Sequence, residues 1–148
     1  MELTCKPAEQ SDVQIIFDLS RDLIDRYEDV ASIDYDRVLN WMHRKIRDNI
    51  GQYICVFADG RKAAYYRFCR NGQMMELDDL YVLPEFRSRG IGTKILEKCC
   101  AETADPVMLY CFTRNSGALS LYRRMGFQVT QKVGNTRCIM VRKPLEGL

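Results

Sequence analysis

A chain of 148 residues is long enough to bury a core without disulfide or metal staples, and it is read as one domain over residues 1–148. Its 47% hydrophobic and 28% charged residues fit a globular protein, and 22 basic against 20 acidic side chains leave a formal net charge of +2. That balance excludes a global field recruiting nucleic acid or anionic membrane, no apolar run approaches the roughly 20 residues that span a bilayer, and residues 1–7 lack the basic head and apolar core of a signal peptide; a cytoplasmic location is expected.

In chain order, residues 3–6 read as a short strand closed by Pro7. Ser11 can cap a helix in which Val13, Ile16, Phe17, Ser20, Leu23, Ile24 and Tyr27 recur at helical spacing. A second helix over residues 34–49 carries the stripe Tyr35, Val38, Leu39, Met42 and Ile46, with Gly51 as its C-terminal cap and His43 on its surface. Strands at 53–58, 62–70 and 74–83 follow, joined by Asp59-Gly60 and Asn71-Gly72, dipeptides that accept the positive φ of tight hairpin turns; an antiparallel meander results. Pro84 ends it.

A helix from Gly90 to about Thr103 buries Ile91, Ile95, Leu96 and Cys99, and an apolar strand occupies 107–112. Asn115 or Ser116 caps a helix with Ala118, Leu121, Tyr122 and Met125 on one face, ended by Gly126, and strands at 127–130 and 137–142 close the chain around Gly134-Asn135. This order is that of a mixed α/β sheet. Seven cysteines (Cys5, Cys55, Cys69, Cys99, Cys100, Cys111, Cys138) form no C-x-x-C pair, and His43 is the sole histidine. They read as reduced, mostly buried small hydrophobes, and no metal site is expected.

The most informative stretch is Arg87-Ser88-Arg89-Gly90-Ile91-Gly92, followed by Thr93, which joins the strand ending at Leu83 to the next helix. Backbone N–H groups at a helix start have no partner within the helix, the dipole adds partial positive charge, and glycines let a ligand approach the main chain. Such a turn holds phosphate, with Arg87 and Arg89 adding charge. The spacing does not fit a mononucleotide P-loop, which needs G-x-x-x-x-G-K-[ST], nor a dinucleotide fingerprint, because Ile95 stands where a third small residue belongs.

The element order resembles the GNAT superfamily of N-acetyltransferases, and two motifs carry the resemblance. The family's phosphate loop, [RQ]-x-x-G-x-[GA], is matched by Arg87, Gly90 and Gly92; its second motif, an asparagine followed by tyrosine and then glycine with an aromatic, is matched by Asn115, Tyr122, Gly126 and Phe127. The resemblance implies a GNAT-like, mostly antiparallel sheet of about seven strands flanked by four helices, with splayed central parallel strands. It implies an enzyme that moves an acetyl group from acetyl-coenzyme A to an amine, with a non-catalytic acyl-coenzyme A-binding module as the alternative, and a homodimer at family level.

In that reading the pantetheine arm pairs with the main chain of Leu80, Tyr81 and Val82 beyond a bulge, while residues 87–93 take the pyrophosphate and Asn115, with Ala118 beside it, meets the arm. Tyr122 is the acid for the leaving sulfur. The amine must lose a proton, since at a pKa of about 10.4 on the order of one molecule in a thousand is free base at neutral pH. Strand alternation puts Glu76 and Asp78 on one face and Asp79 on the other, with Asp78 on the side of Leu80 and Val82; Asp78 is ranked first as base and Glu76 second, directly or through water. Tyr27, Glu28, Asp29 and Trp41 lie where the acceptor pocket is usually shaped, and lean the acceptor toward a cation.

Overall fold

The computed structural model describes residues 1–144. It runs β1 (Leu3–Pro7), α1 (Val13–Tyr27), α2 (Tyr35–Asp48), β2 (Tyr53–Ala58), β3 (Arg61–Asn71), β4 (Met74–Val82), α3 (Ile91–Ala101), β5 (Val107–Phe112), α4 (Ser116–Arg124), β6 (Gln128–Val133) and β7 (Arg137–Arg142), with single 3-10 turns between some of them. The strands hydrogen-bond in the order β1-β2-β3-β4-β5-β7-β6. Pairs β1–β2, β2–β3, β5–β7 and β6–β7 are antiparallel, whereas β4 and β5 are parallel. The mixed sheet with one parallel pair is therefore as expected. By contact the chain divides into two compact units: Met1–Arg67 with Asp79–Arg89, and Phe68–Asp78 with the chain from Gly90 onward.

In the first unit α1 buries Val13, Ile16, Ser20 and Ile24, and α2 buries Met42 and Ile46, a one-sided stripe on each helix. Strands β2 and β3 supply Tyr53, Cys55, Val56, Ala63, Ala64, Tyr65 and Tyr66 to the same core. His43 is half-buried with its ring edge-on to Phe17 at 5.1 Å, so it helps pack α2 on α1 instead of standing on the surface. Two expected caps differ. Ser11 caps nothing: it sits inside a 3-10 turn whose capping box joins Glu9 and Asp12, with the Glu9 N–H donating to Asp12 Oδ2 at 2.8 Å. Nor does Gly51 end α2, because Asn49 does so by donating Nδ2 to the Lys45 carbonyl at 2.8 Å, which removes the need for a left-handed residue.

Asp12 is buried beneath this corner, where Lys62 Nζ and the Tyr65 hydroxyl each donate to its Oδ1 at 2.7 Å. Burial alone would raise its carboxyl pKa; the hydrogen bonds from Lys62, Tyr65 and the Glu9 amide outweigh that and hold it below the usual value. The turn between β2 and β3 is as read, with Asp59 at φ 50° and Gly60 at φ 82°.

In the second unit α3 buries Ile91, Ile95, Leu96 and Cys99, and β5, β7 and Phe127 supply further buried side chains. The β3–β4 turn is built on Gly72 (φ 63°) and Gln73, not on Asn71-Gly72. Asn71 stays in β3 and donates Nδ2 to Glu76 Oε1 at 2.9 Å. All seven cysteines are free thiols; Cys55, Cys99, Cys111 and Cys138 are buried while Cys5 is exposed. Among the described residues no helix is long and apolar enough to cross a membrane, and no group of three or more His, Cys, Asp or Glu side chains is arranged to hold a metal.

Candidate active site

The phosphate-loop candidate is built by the chain's local stereochemistry. After Pro84 and a 3-10 turn, Ser88 adopts φ 62° and Gly90 φ 78°, two left-handed residues that turn the main chain into the start of α3. Gly90 is the N-cap of α3 and supplies no side-chain acceptor. By contrast, α2 and α4 are capped by side chains, Asp34 accepting from the Arg37 N–H and Asn115 from the Ala118 N–H. The first-turn N–H groups of α3 thus have no side-chain cap, an arrangement that suits an anion. Ile91 is buried, so it can meet a ligand through its main chain alone. Gly92 has no positive φ, and Thr93 is half-buried behind it.

The two arginines do something beyond supplying charge. Arg87 donates Nε to the Val82 carbonyl at 3.1 Å, tying the loop to the end of β4, and the Arg89 guanidinium stacks over Phe86 at 5.4 Å. Both side chains remain exposed.

In the first unit the segment Leu80, Tyr81 and Val82 follows Asp79, which takes φ 50° inside the strand. We read this left-handed break in β4 as the bulge expected before Leu80, and parity cannot be counted through it, so the alternation argument does not assign Asp78 to the face of Leu80 and Val82. Asp79 accepts from the Tyr81 hydroxyl (Oδ1, 2.7 Å), and from the Tyr53 hydroxyl (Oδ2, 2.5 Å) and Lys45 Nζ (Oδ2, 3.3 Å). The Tyr81 hydroxyl lies 2.6 Å from Ser20 Oγ and, its own proton being given to Asp79, accepts there. Ser20, Lys45 and Tyr53 were not singled out from the sequence as site residues. A serine on the apolar stripe of α1 was the available signal.

Around the connection of α1 and α2 the acidic groups are used locally. Glu28 Oε1 accepts from the Asp29 N–H at 3.1 Å, and Asp29 Oδ2 accepts from Ser32 Oγ at 2.7 Å. Trp41 is 58% exposed, with Lys45 Nζ 5.9 Å from its ring, so the cation it faces is the chain's own.

In the second unit, Glu76 and Met75 form the parallel register with Met108 and Val107. Asn115 caps α4, its Oδ1 receiving the Ala118 N–H at 3.2 Å, so that amide is spent inside the helix. Tyr122 follows on the same helix, half-buried and edge-on to Phe127 at 6.0 Å. Burial, with Cys111 adding to it, pushes the Tyr122 phenol up, so it keeps its proton throughout the physiological range. Burial likewise pushes the Cys111 thiol up to about 12, which leaves it a poor nucleophile. A surface hollow of about 560 Å³ at the β3–β4 turn, lined by Arg70, Gly72, Gln73, Met74, Asp105 and Pro106, contains none of the predicted site residues.

Comparison with known proteins supplies the remaining findings. The model of the acetyltransferase (GNAT) family matches residues 16–127. Thialysine N-epsilon-acetyltransferase of Mus musculus is 39% identical over 62 residues, 38% of this chain and 36% of that protein. Its Bos taurus counterpart is 32% identical over 71 residues, 45% of this chain and 42% of that protein. Each match spans less than half of the relative's length. The crystal structure of PaiA N-acetyltransferase from Thermoplasma acidophilum in complex with coenzyme A superposes with a TM-score of 0.72 at 21% identity, covering 97% of this chain and 99% of that one. At that identity the likeness speaks for the fold.

Proposed function

Because the chain belongs to the acetyltransferase (GNAT) family, whose model matches residues 16–127, we propose that it is an N-acetyltransferase carrying acetyl from acetyl-coenzyme A to an amine. The observation that supports this most directly is the start of α3, where Gly90 leaves the first-turn amides uncapped behind two left-handed residues. Acetyl-coenzyme A supplies an activated thioester. The main-chain groups of residues 87–93 bind its pyrophosphate, those of Leu80, Tyr81 and Val82 pair with the pantetheine amides, and Asn115 and Ala118 border the arm.

In this reading a backbone N–H of Tyr81 or Val82 stabilises the charge that develops on the carbonyl oxygen as the amine nitrogen attacks. Tyr122 donates its proton to sulfur as the carbon–sulfur bond breaks. The phenol carries that proton at neutral pH. Asp78 or Glu76 accepts the ammonium proton directly or through water, Asp78 placed first for its position in the sequence next to the Leu80–Val82 segment and not for a shared strand face. For the acceptor we propose a cationic primary amine on a flexible arm; the partial matches to the thialysine N-epsilon-acetyltransferases support that class.

The test is a titration with acetyl-coenzyme A followed by an amine panel read by product mass, a readout insensitive to the chain's seven cysteines. Micromolar binding with acetylation of lysine-like amines is expected. Binding without turnover on any amine would leave an acyl-coenzyme A-binding module, and equal affinity for ATP would remove the proposal.

A further inference from the structure

Among the described residues, Asp79 is the sole non-glycine residue inside a strand with a left-handed backbone. An L-residue pays for that conformation in sterics, and it persists where the surroundings over-determine it. Here they do. Tyr53 from β2, Lys45 from α2 and Tyr81 from β4 itself all direct donors at the Asp79 carboxylate, and Ser20 from α1 holds the Tyr81 hydroxyl in turn. Tyr53 is fully buried and Ser20 is 2% exposed, so these partners are fixed by packing.

We propose that Asp79 is a positioning residue: the clamp of Tyr53, Lys45 and Tyr81 on its carboxylate holds β4 in the bulged conformation and so aims the main chain of Leu80, Tyr81 and Val82 at acetyl-coenzyme A. The inference rests on the proposed acetyl-coenzyme A reading and goes beyond it by assigning the side chains that set the binding edge. The carboxylate works through the backbone and touches neither the acceptor nor the thioester. Its chemistry therefore differs from that of a base or a cation-binding acid, and glycine should replace it: glycine takes φ near 50° unaided, whereas alanine keeps the steric cost and loses the clamp.

The experiment compares wild type, Asp79→Gly, Asp79→Ala, Tyr53→Phe and the Tyr53→Phe/Asp79→Gly double variant. Two readouts are taken, acetyl-coenzyme A affinity by calorimetry and amide hydrogen exchange of residues 79–82 in the ligand-free protein. Asp79→Ala is expected to weaken affinity by about 10-fold or more and to speed exchange, while Asp79→Gly stays within about threefold of wild type. Tyr53→Phe weakens affinity by about threefold, and that loss vanishes in the Asp79→Gly background, a cycle that stands even where Asp79→Ala fails to fold. Asp79→Gly as weak as Asp79→Ala, unchanged affinity in Asp79→Ala, or an undiminished Tyr53→Phe loss in the glycine background each overturns the proposal. A wild-type chain that does not bind acetyl-coenzyme A overturns the functional reading instead, and the exchange readout still decides whether the clamp holds the bulge.

Discussion

Replacing Gly92 by alanine separates two roles of the glycine loop, because stability and binding should move in opposite directions. A Cβ built on Gly92 meets Leu121 Cδ2 at 3.8 Å, an ordinary contact, and the backbone there has no positive φ. Alanine is therefore unstrained and gains helix propensity of up to about 1 kcal/mol, a rise in Tm of about 2–4 °C for a chain of this size. In the proposed reading the pyrophosphate approaches the first-turn amides of α3 to hydrogen-bonding distance, and the methyl adds bulk to that turn. Losing one hydrogen bond to a charged group, about 1.5–3 kcal/mol, weakens acetyl-coenzyme A by on the order of 10–150-fold. Gly90→Ala provides the contrast: its Cβ meets nothing within 4 Å but its φ is 78°, so the cost is conformational. That cost is about 1–2 kcal/mol, and Tm falls by about 2–8 °C. Thermal melts and calorimetric titration of both variants measure each quantity independently. A Gly92→Ala protein that melts higher yet binds acetyl-coenzyme A as wild type does would remove the first turn of α3 from the ligand.

Three further outcomes are expected. Tyr122→Phe leaves acetyl-coenzyme A affinity nearly unchanged and lowers kcat by on the order of 10–1000-fold; because burial pushes the phenol up from about 10, the alkaline loss of the donor in wild type falls above that value, and wild-type turnover in the variant would return Tyr122 to a packing role. Asp78→Asn lowers kcat/KM most near neutral pH and recovers as pH rises and the medium supplies free amine, whereas a wild-type pH–rate profile beside a crippled Glu76→Gln reverses the ranking. Asp12→Asn destabilises the first unit's corner by about 1–3 kcal/mol, part of the Lys62 contribution being screened by solvent. Its folded-state pKa is depressed, so that stability is present above the unfolded value of about 3.9 and is lost as pH falls through the folded one. Acid-denaturation curves that coincide for variant and wild type would contradict this.

Much of the fold is written in short-range signals. Apolar spacing on α1 and α2, the Asn115 cap, the Asp59-Gly60 turn and the glycine loop before α3 all depend on residues within a turn or two of each other, and the structure keeps each of them. Where two local solutions compete, sequence alone does not choose: Glu9 and Asp12 displace Ser11 as the cap, Asn49 makes Gly51 unnecessary, and Asn71 remains in its strand. The bulge at Asp79 is of another kind. Aspartate carries no glycine's signature for φ 50°, and the conformation is held by Tyr53 and Lys45, 26 and 34 residues away, so strand alternation read through it assigned Asp78 to a face that does not follow. The turn into α3 was legible because it is made by contiguous backbone, with Gly90 at the N-cap. The supports of the β4 bulge were not, because a carboxylate's partners are chosen by which elements pack around it, and only the tertiary structure brings α2 and β2 to Asp79 and α1 to the Tyr81 hydroxyl beside it.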